Sequence, residues 1–199
     1  RGAVQWVDNG DHTEADGSVT KQVETALGVI AKVGTSAGWN AGARSLFSFG
    51  SASIMGGVSF VPTRNDKDMM MGLSHGDSDK GNTDVDFAWR LTRHGALEVY
   101  EGGVQRGSFG QYSAGDLMEV RVNLYGEVEY ARNRVVKYTS AQLPVYPLLV
   151  DSSLHDTDAK ATQVRFTYKA DTNAVVWASV SDGMSVPTTA VSNYGALKH

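Results

Sequence analysis

Apolar and polar residues alternate with a period of two along much of the chain. In VDFAWRL, Val85, Phe87, Trp89 and Leu91 share one side, while Asp86, Ala88 and Arg90 share the other. LMEVRVN sets Met118, Val120 and Val122 against Glu119, Arg121 and Asn123, and QVRFTY sets Val164, Phe166 and Tyr168 against Gln163, Arg165 and Thr167. This is the pattern of strands with one dry and one wet face, as in an antiparallel sheet solvated on one side. Turn residues punctuate the runs. Arg93-His94-Gly95 precedes LEVYE and Leu124-Tyr125-Gly126 precedes EVEYAR, both suited to tight hairpins with glycine at positive φ. No stretch carries a convincing helical period, so the pattern predicts an all-β sandwich or barrel.

Other segments are less regular. DMMMGL at 68–73 fits either a buried strand or a mobile methionine surface, and is read as the strand. ETALGVIAKV is read as strand because Gly28 interrupts a helix and Val29, Ile30 and Val33 favour β structure. DNGDHTEADGS is a polar loop, and the residues after Gly183 are turn-rich, so one domain over 1–183 and a C-terminal arm over 184–199 are expected. Arg1 stands where a start methionine would, which fits a processed form or an excised domain. Leu197-Lys198-His199 fits a natural end or a trimmed tag.

Composition narrows the chemistry. The 199 residues include 22 glycines, 4 prolines and no cysteine, which removes thiol nucleophiles, cysteine-based zinc sites and disulfides. A chain of this length buries enough core to need no such staple. The formal charge of -4 offers no basic field for nucleic acid, and no apolar run reaches membrane-spanning length.

An ordered set of segments then points to a family. GWNAGARS, MMMGLSHGD, TDVDFAWRL, GALEVYEGGVQRGSFGQYSAGD, EVRVN, EVEYARNRVVKYTS and YPLLVDSSL, spread between Trp6 and Tyr168, resemble a module of the concanavalin A-like jelly-roll superfamily related in layout to SPRY domains. The resemblance implies an antiparallel jelly-roll β-sandwich of two packed sheets. It does not imply an activity, because such sandwiches host lectins, glycanases, lyases and protein-binding modules. One departure is Arg132-Asn133-Arg134, where relatives place an Asn-Gly-type turn. Asn133 can still adopt the left-handed conformation, leaving a basic pair at the tip.

GTSAG at 34–38 matches the G-x-S-x-G pattern, but loop and strand follow Ser36 where a nucleophile elbow needs a helix. Asp84/Asp86 and Glu127/Glu129 have the spacing of paired glycanase carboxylates, yet Trp89 and Arg132 stand where a third acid belongs. The acidic loop HGDSDKGNTDVD lacks the EF-hand pattern, leaving either a solvated loop or a looser calcium site from Asp77, Asp79, Asp84 and Asp86. His12, His75, His94, His155 and His199 show no zinc spacing.

For ligand contact the candidates are Trp39, Asn40, Arg44, Tyr100, Glu101, Arg106, Tyr112 and Tyr125, aromatics near turns with polar neighbours suited to sugar hydroxyls. Trp39 is read as either core or ligand-facing, since Gly38, Ala41, Gly42 and Ala43 permit close approach for both purposes. Arg106, Arg132 and Arg134 could instead meet an acidic protein. The expectation is a non-catalytic recognition module, with carbohydrate at a cell surface or in extracellular matrix as first ligand. A SPRY-like protein-interaction or assembly subunit of a larger chain comes second, and a glycan-cleaving enzyme third. No cofactor is expected beyond the calcium alternative.

Overall fold

The computed structural model describes residues 2–8, 12–13, 19–20, 22–50 and 54–170. Strands account for all the regular structure among them. In chain order they are β1 (Gly2–Ala3), β2 (Trp6–Asp8), β3 (His12–Thr13), β4 (Val19–Thr20), β5 (Val23–Ala26), β6 (Val29–Lys32), β7 (Ala41–Ser45), β8 (Ser48–Phe49) and β9 (Ile54–Pro62). There follow β10 (Met69–Ser74), β11 (Phe87–Leu91), β12 (Ala96–Glu101), β13 (Val104–Gln111), β14 (Met118–Val122), β15 (Val128–Arg132), β16 (Val135–Thr139), β17 (Leu148–Leu154) and β18 (Lys160–Ala170). The boundary expected at Gly183 and the arm 184–199 lie outside the described residues.

The first sheet runs β16-β15-β14-β9-β18-β6-β5, with β1 also on β18. The second runs β13-β12-β11-β10-β17-β7-β2, with β8 also on β17. Pairing is antiparallel throughout, and non-consecutive neighbours such as β10 beside β17 and β9 beside β18 give the jelly-roll crossings. The all-β expectation holds. ETALGVIAKV forms the β5–β6 hairpin around Gly28 at φ 70, and the methionine run is β10, a buried central strand.

The two inner faces meet in one core. Val58, Phe60, Met118, Val120 and Tyr130 of the first sheet pack against Met71, Leu73, Trp89, Leu97 and Val150 of the second. Trp89 stitches the layers. It is fully buried, its ring meets Tyr130 edge-on at 5.4 Å, and its Nε1–H donates to the carbonyls of Glu119 (3.0 Å) and Ala131 (3.3 Å) on the opposite sheet. A buried indole contributes most when its N–H is satisfied in this way.

The two-faced pattern of the alternating strands does not extend to the centre of the second sheet. All of β10 and β17 is buried, outward-pointing positions included. Segment 75–86 folds back over the outer face of the second sheet, where Ser153 Oγ donates to the Lys80 carbonyl at 2.7 Å. Gly42 on β7 lets it lie there, since a Cβ at that position would stand 3.5 Å from the Lys80 Cα and 2.5 Å from the Ser152 carbonyl oxygen. The small residues of GWNAGARS therefore serve close packing, with Ala41, Gly42 and Ala43 all buried. On the first sheet Glu119, expected on a wet face, is only 4% exposed.

Candidate functional site

The outer face of the second sheet centres on Arg90. Strand alternation turns its side chain away from the core, opposite Trp89, and the register sets it between Met70 and Glu98. Its Nε and Nη2 donate to the two carboxylate oxygens of Asp68, both at 3.0 Å, and Nη1 donates to the Tyr100 hydroxyl at 2.9 Å. The guanidinium carbon lies 5.7 Å from the Trp39 ring centroid and 5.3 Å from that of Tyr100. A planar cation is thus flanked by two aromatic rings and held in a two-point grip by a buried acid, an arrangement available to arginine and not to lysine. The Asp68 hydrogen bonds push the Arg90 pKa above the ordinary arginine value, against the opposing effect of burial.

Trp39 points neither into the main core nor freely into solvent. It is half-buried against the small outer cluster of Met70, Val85 and Ala88, together with Tyr100. His155 meets its ring edge-on at 5.0 Å and is itself tied by Nδ1 to Asp156 Oδ1 at 2.6 Å. Two shallow recesses open beside this stack. One, of about 430 Å³, is lined by Gln22, Trp39, Asn40, Asp79, Lys80 and Gly81. The other, of about 540 Å³, lies between Asp68, Arg90, Arg93, Glu98, Tyr100 and Gln105.

Beneath the folded-back segment, Asp77, Asp84 and Asp151 bring one carboxylate oxygen each within 4.8 Å of one another. Asp151 is buried, accepting from Ser74 Oγ at 2.9 Å and from the Ser152 N–H at 2.7 Å. Burial first, and then the charges of Asp77 and Asp84, push its carboxyl well above the usual range. Burial also acts on Asp84, but donation from Ser78 Oγ, Ser78 N and Asp79 N outweighs it and holds that carboxyl low. Three such acids are relieved either by a shared proton or by a cation. The residues able to hold a cation are therefore Asp77, Asp84 and Asp151. Asp79 instead caps the Gly81 N–H and Asp86 caps the His75 N–H.

The sequence candidates separate accordingly. Trp39 and Tyr100 flank Arg90, and Asn40 lines the recess beside Trp39. Arg44 lies on β7 with its Nε 3.7 Å from Asp77. Glu101 and Tyr112 are corrections to the exposed set. Glu101 is buried, paired with Arg106 Nε at 3.1 Å and accepting from the Tyr130 hydroxyl at 3.2 Å. Tyr112 is a core residue whose hydroxyl donates to the Thr92 carbonyl at 3.3 Å, and burial raises its pKa. Arg106 is thereby committed to Glu101. Tyr125 is 85% exposed on the β14–β15 turn of the other sheet, away from Trp39.

Arg132 is likewise engaged, donating to Asp116 at 2.8 Å, while Asn133 and Arg134 turn the hairpin at φ 51 and 69. Sequence reasoning missed Arg90, Asp68, Lys32, His155 and Asp151. Arg90 was visible only as a polar position in an alternating strand, and Asp151 only as part of YPLLVDSSL.

None of the catalytic patterns assembles. Ser36 sits in an irregular segment that leads into β7, with no helix following. Asp84 and Asp86 cap different turns. Glu127 and Glu129 take Asn123 Nδ2 at 2.9 and 3.1 Å, and Glu129 also pairs with Arg121.

The strand order and the two packed sheets define a concanavalin A-like jelly roll of SPRY-like layout. No family model matches the sequence, and no curated protein is similar to it in sequence. Solved structures are similar in fold. The SPRY domain of human HERC1 aligns with TM-score 0.56 at 11% identity, over 71% of this chain and 91% of that one. Alginate lyase AlgAT5 from polysaccharide lyase family 7 aligns with TM-score 0.56 at 12% identity, over 83% and 95%. The Emp46p carbohydrate recognition domain in its potassium-bound form aligns with TM-score 0.54 at 10% identity, over 83% and 88%. Identities this low establish the fold alone and leave role and ligand open.

Proposed function

We propose that the chain is a non-catalytic recognition module whose outer second-sheet face binds carbohydrate, in an extracellular or cell-surface setting. The observation that carries this reading is the Trp39 recess. A half-buried tryptophan, steadied by Arg90 and His155, stands beside Asn40, Gln22, Asp79 and Lys80. An aromatic surface ringed by amide, carboxylate and ammonium groups matches the apolar face and hydroxyls of a sugar ring. A non-catalytic role is supported by the candidate carboxylate pairs, since Asp84 and Asp86 cap different turns and Glu127 and Glu129 are held by Asn123 and Arg121.

A protein partner is the second reading. It is favoured by apolar side chains left exposed in irregular segments, notably Leu46 and Phe47 after β7 and Leu143 and Val145 before β17. A glycan-array screen with and without chelator separates the two. Binding to a defined glycan class, lost in Trp39→Ala, supports the first. Silence on every glycan in both conditions overturns it.

A further inference from the structure

Lys32 ends β6 and is only 2% exposed, an unusual place for an ammonium. Burying that charge is costly unless its protons all find acceptors. They do. Nζ donates to Asn40 Oδ1 at 2.6 Å, to the Gly38 carbonyl at 2.7 Å and to the His155 carbonyl at 2.8 Å, with the Leu154 carbonyl at 3.3 Å. None of these acceptors is a carboxylate, so dipoles rather than an ion pair carry the charge. Burial consequently lowers its pKa below the ordinary lysine value, with the charge of Asp156 opposing.

The sources of the acceptors are informative. Gly38 and Asn40 flank Trp39 on both sides, and His155 supplies the ring against which Trp39 packs. The Gly38 N–H also donates to the His155 carbonyl at 2.9 Å, closing the same junction. One ammonium therefore clamps the segment that carries the tryptophan to the end of β17 that carries its neighbour.

We propose that Lys32 is the positioning residue of the binding face, fixing Trp39 in its half-buried pose by tying the 38–40 turn to His155. Its functional meaning rests on the carbohydrate reading, whereas its effect on Trp39 does not. A neutral isostere such as methionine fills the space but donates nothing, leaving the Asn40 amide and three carbonyls without their shared donor. Arginine restores the charge with a larger, planar head that fits the same acceptors imperfectly.

The test is the indole N–H resonance of Trp39 in 15N-labelled protein, identified among the 4 tryptophans by its loss in Trp39→Phe. In Lys32→Met it is expected to broaden or shift towards a solvent-exposed position while the Trp89 indole stays in place. Glycan affinity should fall at least tenfold, with partial recovery in Lys32→Arg. Asn40→Ala removes one acceptor at the surface and should move the same resonance less, which decides the matter should Lys32→Met fail to fold. An unmoved Trp39 resonance in Asn40→Ala and in a folded Lys32→Met overturns the proposal. If wild type binds no glycan while Trp39 still moves in Lys32→Met, the carbohydrate reading fails and the clamp stands.

Discussion

The two outer faces of this sandwich carry similar residues and use them differently. On the first sheet, Arg121, Glu129, Asn123 and Glu127 pair across β14, β15 and their turn, close to solvent, and the nearby Tyr125 ring projects from that turn with no stacking partner among the described residues. On the second sheet, the Arg90 guanidinium is gripped by Asp68, flanked by Trp39 and Tyr100, and bordered by a segment that folds back over β10 and β17. Solvated pairs such as those on the first face add little to stability and impose little order. A cation that bonds both a buried carboxylate and a phenol and lies between two rings ties together the elements that carry them. The difference teaches that ring exposure is a poor guide to a binding face, and that support beneath the ring is a better one.

That contrast can be broken at several points. Trp39→Ala should have the largest effect, lowering glycan affinity by about 30-fold, as expected for a central aromatic anchor worth about 2 kcal/mol. Titration calorimetry reads it directly. Arg90→Met should come next, leaving the Asp68 carboxylate buried without its main partner. A loss of about 2 kcal/mol is expected, seen as a melting temperature about 4–8 °C lower, together with weaker binding because both rings lose their shared cation.

Asp151→Asn addresses the carboxylates under the folded-back segment. The folded chain retains a proton on Asp151 that the unfolded chain releases near the ordinary value of 3.8. Stability from that proton is complete below 3.8 and is lost as pH rises through the higher folded value. The asparagine variant should therefore melt about 2–4 °C above wild type at pH 8, with the gap closing towards pH 4. If the three carboxylates hold calcium, adding it should raise the wild-type melting temperature and leave the variant unmoved. Equal wild-type melting temperatures with and without calcium leave the shared proton as their relief. Tyr125→Ala should do least, changing stability by less than about 0.5 kcal/mol and leaving glycan affinity intact.

The fold was legible because its signals are local. Alternation in VDFAWRL and LMEVRVN, the small residues of GWNAGARS and the glycine turns each follow from a strand or hairpin taken by itself. The site was half legible. Trp39, Asn40 and Tyr100 could be proposed from residue type and nearness to turns. Arg90, Lys32 and Asp151 could not, because what distinguishes them is the neighbours the topology supplies. Asp68 reaches Arg90 from just before β10, and Lys32 meets the end of β17 more than a hundred residues away. Glu101 and Tyr112 were misplaced for the converse reason. Alternation along β12 puts Glu101 on the same buried face as Leu97 and Val99, where the Tyr130 hydroxyl and Arg106 satisfy its carboxylate.

The central claim is that the Trp39–Arg90–Tyr100 face, and not the Tyr125 face, meets ligand. Resonance mapping with the strongest glycan from an array tests it most directly, following the Trp39 indole and the backbone amides of β11, β12, β14 and β15 during titration. The account predicts shifts at Trp39, Arg90 and Tyr100 and silence along β14–β15. Shifts confined to Leu124, Tyr125 and their strands, with Trp39 unmoved, would contradict it.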